Sequence, residues 1–273
     1  MQGHVSILSV SPEAAAMIAS GGRISTMDGT ADEIYANSLS AGQEKNEKLI
    51  GKVLSSGHTS VLEHCYVNLS FENVSALAEQ FLIEFRLASF TVKSRRYVDF
   101  SKAGYVSPVF TANVQMAIFE RTVESLFGTY DVLEAAGVPK EDARFVLPYC
   151  FCSNFFCSMN ARELVHVMNE LAYGRGSRIP ELRALGESLF AQCEQQIPFL
   201  AVRKPEAYRQ SDAFCPRQVQ LLASKAAVTV LAAPQDAEGL ICGAYQLARG
   251  NVPQPLTKPE QMALLKALLA QPR

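Results

Sequence analysis

The sequence has little net charge and no long hydrophobic run. Its 273 residues carry a formal net charge of −2, so no overall electrostatic field favours nucleic acid or an anionic membrane, and any basic site has to be local. The apolar runs are well short of the roughly 20 residues that a membrane-spanning helix needs. We therefore expect neither a nucleic-acid partner nor a membrane partner for this chain. Its 48% hydrophobic content is enough for a sizeable core.

The chain also lacks the patterns of several common protein classes. Its seven cysteines are an odd number and its N-terminus does not look like a signal sequence, which predicts a reducing, cytoplasmic location rather than a disulfide framework. It has no glycine-rich phosphate loop, so nothing in it requires a dinucleotide-binding Rossmann domain. It has no serine or cysteine nucleophile elbow either.

Three closely spaced cysteines raise the question of a metal site together with His166. Because residues 151–159 are predicted to form a strand, alternation places Cys150 and Cys152 on one face and Cys157 on the other. That geometry is poor for shared ligation of one metal ion. We interpret these cysteines as buried apolar residues and predict no metal site.

Periodicity and punctuation predict alternating strands and helices. A loop is expected at residues 21–26. Strands are predicted at residues 5–10, 61–71 and 151–159. Helices are predicted at residues 12–19, 44–56, 75–86, 113–136, 141–146, 160–172 and 181–195. After Pro198, repeated prolines separate three further helical stretches, near residues 218–231, 235–249 and 258–271.

Cations and hydroxyl groups are concentrated in residues 84–97, which read EFRLASFTVKSRRY. The segment begins on the apolar helix predicted at 75–86 and continues beyond the end of that helix. Guanidinium and hydroxyl groups make short, charge-assisted hydrogen bonds to phosphate, so this composition is typical of an anion site. A solvated basic turn accounts for the same composition.

Several motifs in a fixed order connect this segment to a known family. GHTSVLEH lies upstream at residues 57–64, and GVPKEDARFVLP and NARELVH lie downstream at 137–148 and 160–166. Over residues 25–199 the chain resembles the flavin-dependent thymidylate synthases, which methylate dUMP at C5 with FAD, NADPH and methylenetetrahydrofolate. The resemblance implies an α/β (α+β) fold with a central mixed, mainly antiparallel sheet and long helices. It also implies a homotetramer whose active sites are shared between subunits.

The resemblance divides the chain and assigns roles to its residues. Residues 1–200 correspond to the synthase domain, and 201–273 are predicted to form a helical C-terminal extension. The residues implied to be catalytic are Arg86 and Ser94. The residues implied to contact the flavin are Ser25, His58, Ser60, Glu84, Phe85, Arg86, Asn160, Arg162 and His166. The residues implied to bind the nucleotide are Ser94, Arg95, Arg96, Arg175 and Arg178.

The residues themselves support part of this assignment. Asn160 can cap the helix predicted after it, and a helix N-terminus favours anions. His166 lies one turn beyond Arg162 and therefore on the same face. A plain capping asparagine beside a surface arginine is the alternative. Glu63 is expected to be a buried structural partner of His64 or Arg86 rather than a general base.

The chain departs from the family at the signature itself. The family has Arg-His-Arg, seven residues and then Ser, whereas this chain has Glu84 and Phe85 before the retained Arg86 and Ser94. Exchanging a guanidinium for a carboxylate removes a charge-assisted bond of about 1.5–3 kcal/mol. Four further positions differ where the family has Gln, Glu, Arg and Arg, namely Phe81, Val92, Asn154 and Leu171.

Three hypotheses follow for function. The first is a flavin-dependent methylase of dUMP or a related pyrimidine nucleotide, in which hydride passes through the flavin and the protein supplies position and electrostatics. The second is a paralogue that acts on a different pyrimidine acceptor, as Glu84 suggests. The third is a non-catalytic subunit that pairs with a complete synthase.

Overall fold

A four-stranded antiparallel sheet forms the centre of the protein in a computed structural model that describes residues 3–211 and 236–269. Its strand order is β1-β2-β4-β3, and each neighbouring pair is antiparallel. The strands are β1 His4–Val10, β2 Tyr66–Ser75, β3 Ala88–Val92 and β4 Cys152–Asn160. The predicted α+β class with a mainly antiparallel sheet is confirmed.

Eight α-helices belong to the same part of the described chain as the sheet. They are α1 Ala14–Arg23, α2 Ala31–Ala41, α3 Gln43–Ser55, α4 Ala76–Leu82, α5 Asn113–Ala135, α6 Lys140–Ala143, α7 Ala161–Ala172 and α8 Pro180–Gln196. Short 3-10 turns lie at Thr59–His64, Arg144–Val146, Arg175–Arg178 and Pro198–Leu200.

The main hydrophobic core lies between one face of the sheet and α1, α7 and α8. Alternation along β2 buries Val67, Leu69 and Phe71, while Tyr66 and Asn68 face solvent. A second apolar cluster lies beside α5, where Tyr130, Phe100 and Phe151 are buried, among others. The sheet and α7 thus form a packed frame for the residues that precede and follow β3.

The chain divides between Arg203 and Lys204 into two compact units. In the second unit, the described helices are α9 Pro205–Ser211, α10 Ala237–Ala248 and α11 Lys258–Leu269. The last two confirm the helices predicted near 235–249 and 258–271, whereas the helix predicted at 218–231 lies outside the described residues. Among the described helices, none combines the length and the apolar character that crossing a membrane requires.

The sequence patterns were wrong at several boundaries. The strand predicted at 61–71 begins only at Tyr66, because residues 59–64 form a 3-10 turn in which Val61 and Leu62 are both buried. The helix predicted at 75–86 ends at Leu82. β3 follows it and was not predicted, nor was α2, which begins with a capping box between Thr30 and Glu33.

The loop predicted at residues 21–26 was also partly wrong, since α1 continues through both glycines to Arg23. Gly21 belongs in this helix because its backbone approaches the 3-10 turn closely. A Cβ atom at this position would lie 3.0 Å from Cδ2 of His64. The close approach brings the end of α1 next to the 3-10 turn at Thr59–His64.

Candidate functional site

The N-terminus of α7 and the 3-10 turn at Thr59–His64 are tied together by one ion pair. Asn160 ends β4 and caps α7, and its Oδ1 accepts a hydrogen bond from the backbone N–H of Glu163 at 2.9 Å. Arg162 Nη1 donates to Glu63 Oε1. The expectation that Glu63 is a buried partner of His64 or Arg86 was therefore wrong, since its side chain is 46% exposed and pairs with Arg162.

His58 and Ser60 flank the start of this turn and are both exposed. Ser25 is exposed in the loop after α1, where its Oγ donates to the carbonyl of Gly22 at 3.2 Å. Arg162 adds a half-exposed cation on the other side of the turn. Polar donors from the 3-10 turn and from α7 therefore face solvent around the beginning of α7, and Ser25 adds one in the loop after α1.

A row of aromatic rings continues from α7 toward the end of α4. The ring of His166 meets the ring of Phe85 edge to face with centroids 5.5 Å apart, and Phe85 meets Phe81 in the same way at 5.8 Å. The guanidinium carbon of Arg175 lies 5.1 Å from the centroid of Phe81. Two positions at which the chain departs from the family, Phe81 before the signature and Phe85 within it, are thus packed against each other.

Glu84, the carboxylate at the first signature position, forms an ion pair with Arg175. Its Oε2 lies 3.1 Å from Arg175 Nη1, and both side chains are about half exposed. Glu170 of α7 is buried and approaches Arg175 Nε at 3.7 Å, and it also accepts the Arg175 backbone N–H at 3.1 Å. Two carboxylates therefore compensate the charge of Arg175. Arg86, two residues after Glu84, and Arg178, three residues after Arg175, are both exposed.

Gly174 makes this arrangement possible. A Cβ atom there would lie 2.4 Å from Glu170 Oε2, so only glycine lets the backbone pass this carboxylate. Sequence reasoning did not single out Glu170. It lies on α7 one turn beyond His166, and its place in the site depends on the 3-10 turn that returns Arg175 to it.

The three remaining site residues lie at the opposite end of β3. The strand is five residues long, so its ends are about 13 Å apart at ~3.3 Å per residue. Ser94 Oγ accepts the backbone N–H of Arg96 at 3.3 Å, and the Arg96 side chain is exposed. Arg95 instead donates from Nη2 to Glu79 Oε1 at 2.6 Å. Within one chain, Ser94, Arg95 and Arg96 are therefore separated from His58 and Arg162.

A surface cavity of about 520 Å³ adjoins this second group. It opens where β2 bulges at Asn73, whose φ is 53°, and Lys93 and Thr91 line its other side. Asn154, which stands where the family has an arginine, also lines it and accepts the Asn73 backbone N–H through Oδ1 at 2.7 Å. Asn154 thus stabilises the bulge and leaves Lys93 as the cation of the cavity.

The cysteines lie apart from both groups of polar residues. Cys150 precedes β4 instead of lying within it, and Cys152 and Cys157 are buried. Burial raises the pKa of the Cys157 thiol to about 12, which disfavours the thiolate that a metal would need. No cluster of three metal-ligating side chains occurs among residues 3–211 and 236–269.

Comparison with known proteins shows where this architecture occurs. The family model described as thymidylate synthase complementing protein matches residues 6–199. The flavin-dependent thymidylate synthase of Nitratidesulfovibrio vulgaris is 31% identical over 209 residues, which cover 72% of this chain and 84% of that protein. The flavin-dependent thymidylate synthase of Geobacter sulfurreducens is 34% identical over 166 residues, covering 59% and 70%.

A solved structure shares the fold. The crystal structure of a UMP/dUMP methylase, PolB from Streptomyces cacaoi, bound with 5-Br dUMP superimposes with a TM-score of 0.60 at 21% sequence identity. The similarity covers 73% of this chain and 93% of that chain.

Proposed function

The chain belongs to the flavin-dependent thymidylate synthase family, and we propose that it catalyses the reductive methylation of dUMP or a related pyrimidine nucleotide at C5. The match of the family model to residues 6–199 carries this proposal. The proposed cofactor is FAD, with NADPH as the hydride donor and methylenetetrahydrofolate as the one-carbon donor. Residues 1–200 are the proposed catalytic domain and 201–273 a helical extension, and a cytoplasmic location accompanies this role.

The residues around the beginning of α7 fit the anionic part of a flavin nucleotide. Asn160 caps the helix through the Glu163 N–H and the Ala161 N–H donates to the Cys65 carbonyl, while the dipole of the helix N-terminus attracts phosphate. Arg162 is 53% exposed beside it, and the exposed side chains of His58 and Ser60 add further donors. When bound, FAD would accept a hydride from NADPH and, once reduced, pass it on through N5, and these side chains would bind and orient it.

Phe85 packs against His166 on the buried side of the proposed flavin site. It is only 6% exposed and lies between Phe81 and His166. It therefore fills the core instead of offering a ring face to a flavin, and it holds the half-buried His166 in a defined orientation. His166 and Arg162, one helical turn apart, are the side chains that this support presents.

Ser94 and Arg96 are the proposed phosphate-binding residues for the nucleotide. Both follow β3, and the exposed side chains of Arg96 and Lys93 supply the positive charge there. Because these residues lie at the other end of β3 from the proposed flavin site, a complete active site requires residues from a second copy of the chain. A homotetramer with shared sites meets that requirement.

Glu84 favours a second candidate, in which the acceptor is a different pyrimidine. Its carboxylate occupies a position that holds nucleotide in the family and pairs with Arg175, so an additional negative charge on the acceptor is repelled there. An acceptor with fewer negative charges, or with hydroxyl donors, satisfies a carboxylate better than a phosphate does.

The test is flavin content followed by acceptor-dependent turnover. We expect the purified protein to carry FAD absorbance, or to gain it on reconstitution. With oxygen excluded, we expect its reduced flavin to be reoxidised only when methylenetetrahydrofolate and a pyrimidine acceptor are both present. Running dUMP, UMP and uridine in parallel distinguishes the two candidates. Colourless protein that takes up no FAD contradicts the proposal.

A matched variant locates the flavin site. Arg162→Gln removes a charged donor, and losing a hydrogen bond to a charged group costs roughly 1.5–3 kcal/mol, or about tenfold to a hundredfold in FAD affinity. Arg183→Gln, on α8, removes an exposed arginine outside the proposed site and serves as the control. Complementation of a thymidine auxotroph by this gene alone contradicts the third hypothesis, a non-catalytic subunit.

A further inference from the structure

Glu79 is a buried carboxylate with two strong partners. It lies on α4, its side chain is 2% exposed, and Arg95 Nη2 donates to its Oε1 at 2.6 Å. Its other oxygen, Oε2, accepts the hydroxyl of Ser153 on β4. A buried carboxylate persists only when it is paired in this way, because the desolvation of an unpaired charge is costly.

The guanidinium of Arg95 points toward the interior of the protein. It lies 4.9 Å from the centroid of the Phe151 ring, which is the geometry of a cation–π contact. Its Nε is enclosed and has no hydrogen-bond partner among the residues that the structure describes. The charge of Arg95 is therefore directed at Glu79 and Phe151, and not at solvent.

The turn that carries Arg95 is organised around Ser94. Ser94 Oγ accepts the backbone N–H of Arg96 at 3.3 Å, and its carbonyl accepts those of Tyr97 at 3.4 Å and Val98 at 3.0 Å. With Arg95 anchored inward between Ser94 and Arg96, the Arg96 side chain is turned outward to solvent. Glu79 on α4 and Ser153 on β4 thus fix the turn through one guanidinium.

We infer that Arg95 is a positioning residue and not a substrate ligand: the buried network of Glu79, Arg95 and Ser153 sets the turn in which Ser94 and Arg96 bind the phosphate of the nucleotide. This inference rests on the proposed function and corrects the expectation that Arg95 itself contacts the nucleotide. When the network is broken, the turn samples other conformations. The apparent affinity for the nucleotide then falls in proportion to the fraction of molecules that keep the competent one.

A single variant and a double variant together separate positioning from direct contact. Arg95→Gln leaves Glu79 buried and uncompensated, whereas Glu79→Gln/Arg95→Gln removes both charges and lets the two amides bond to each other. We expect Arg95→Gln to raise the KM for the pyrimidine nucleotide about tenfold while kcat changes less than about threefold. The double variant is expected to return to within about threefold of the parent KM.

Either of two kinetic results overturns the inference. If Arg95 contacts the phosphate, the double variant retains the full KM increase of Arg95→Gln, because its guanidinium is missing in both. If the network only stabilises the fold, Arg95→Gln lowers the unfolding midpoint and leaves KM unchanged.

Hydrogen exchange at the backbone amides of Arg96, Tyr97 and Val98 provides a readout that does not depend on activity. Faster exchange in Arg95→Gln and recovery in the double variant support the positioning role, and unchanged exchange in Arg95→Gln contradicts it. If the parent protein neither binds nor converts a nucleotide, the proposed function fails, while this exchange experiment still decides whether the network sets the turn.

Glu181→Gln is the matched control. Glu181 also anchors the beginning of α4, where its carboxylate accepts the Ser75 backbone N–H at 2.7 Å and the Ser75 hydroxyl at 2.6 Å. It does not touch the turn after β3. Its substitution is expected to lower stability without changing either KM or amide exchange at Arg96, Tyr97 and Val98. Equal effects from Glu181→Gln and Arg95→Gln would show a general loss of stability and overturn the inference.

Discussion

Two glutamate–arginine pairs lie at opposite ends of β3 and differ in burial. Glu79 and Arg95 are 2% and 22% exposed and meet at 2.6 Å, whereas Glu84 and Arg175 are 58% and 47% exposed and meet at 3.1 Å. Both glutamates come from the same short stretch around the end of α4. The two pairs consist of the same residue types, but one is largely shielded from solvent and the other is exposed to it.

Burial decides how firmly each pair holds its surroundings. Breaking a buried pair leaves an uncompensated charge out of water and typically costs 3–5 kcal/mol. An exposed pair contributes roughly 0–1 kcal/mol, because water and salt screen both charges. The Arg95 end of β3 is accordingly rigid, while at the Arg175 end the ion pair can open at small cost when a ligand binds. Under the proposed function, the firmly held end would bind the phosphate of the nucleotide and the end that opens easily would admit the larger cofactor.

The largest loss of stability is expected for Glu79→Ala. This substitution removes the carboxylate that both Arg95 and Ser153 bind, and we expect the free energy of unfolding to fall by about 3–5 kcal/mol. Urea unfolding measures the loss, and Glu84→Ala is the matched control, with an expected change below about 1 kcal/mol. Equal losses for the two variants would remove the distinction between the pairs.

A smaller effect is expected for Ser153→Ala. The hydroxyl is fully buried and donates to Glu79 Oε2, and hydrogen bonds to charged groups contribute about 1.5–3 kcal/mol. We expect a loss in this range, measured by the same unfolding experiment. Ser158→Ala, on the same strand, is the control, because its half-buried hydroxyl donates to the neutral amide oxygen of Asn68 at 2.6 Å and not to a carboxylate. A loss below about 0.5 kcal/mol for Ser153→Ala would mean that Arg95 alone satisfies Glu79.

The smallest effect is expected for Glu84→Gln. Its ion pair with Arg175 is exposed, so the free energy of unfolding should change by less than about 1 kcal/mol, and the change should shrink further as salt screens the pair. Unfolding experiments at low and high ionic strength measure the change in free energy and its dependence on salt. A loss of several kcal/mol that persists in high salt would place this pair in the same class as the buried one.

The sequence was informative where local chemistry sets the structure. Asn160 caps α7 as its position predicted, and the long helix predicted at 113–136 is present as α5. Ser75, at the predicted start of its helix, also acts as the cap, since its Oγ accepts the Ala78 backbone N–H at 3.0 Å. These features depend on interactions between residues close in sequence, so the local sequence is enough to predict them.

The sequence was misleading where apolar residues satisfy more than one periodicity. Phe81 and Phe85 are apolar at helical spacing, yet α4 ends at Leu82 and β3 begins at Ala88. Pairing with β4 decides this, because Ala88 to Val92 lie opposite Met159 to Phe155 and complete the sheet. The inward direction of Arg95 could not be predicted either, since its partners Glu79 and Phe151 are distant in sequence.

From its sequence alone, this protein could be assigned a fold class, a family and the residue types of an anion-binding site, because motif order, periodicity and capping are local properties of the chain. Only the tertiary structure decided which cations face solvent and which are used internally. The charge of a side chain follows from its residue type alone. The partner of that charge depends on burial and on groups that folding brings together from remote segments. Arg96 and Arg95 are neighbours of the same charge, and the fold turns one outward and buries the other against Glu79.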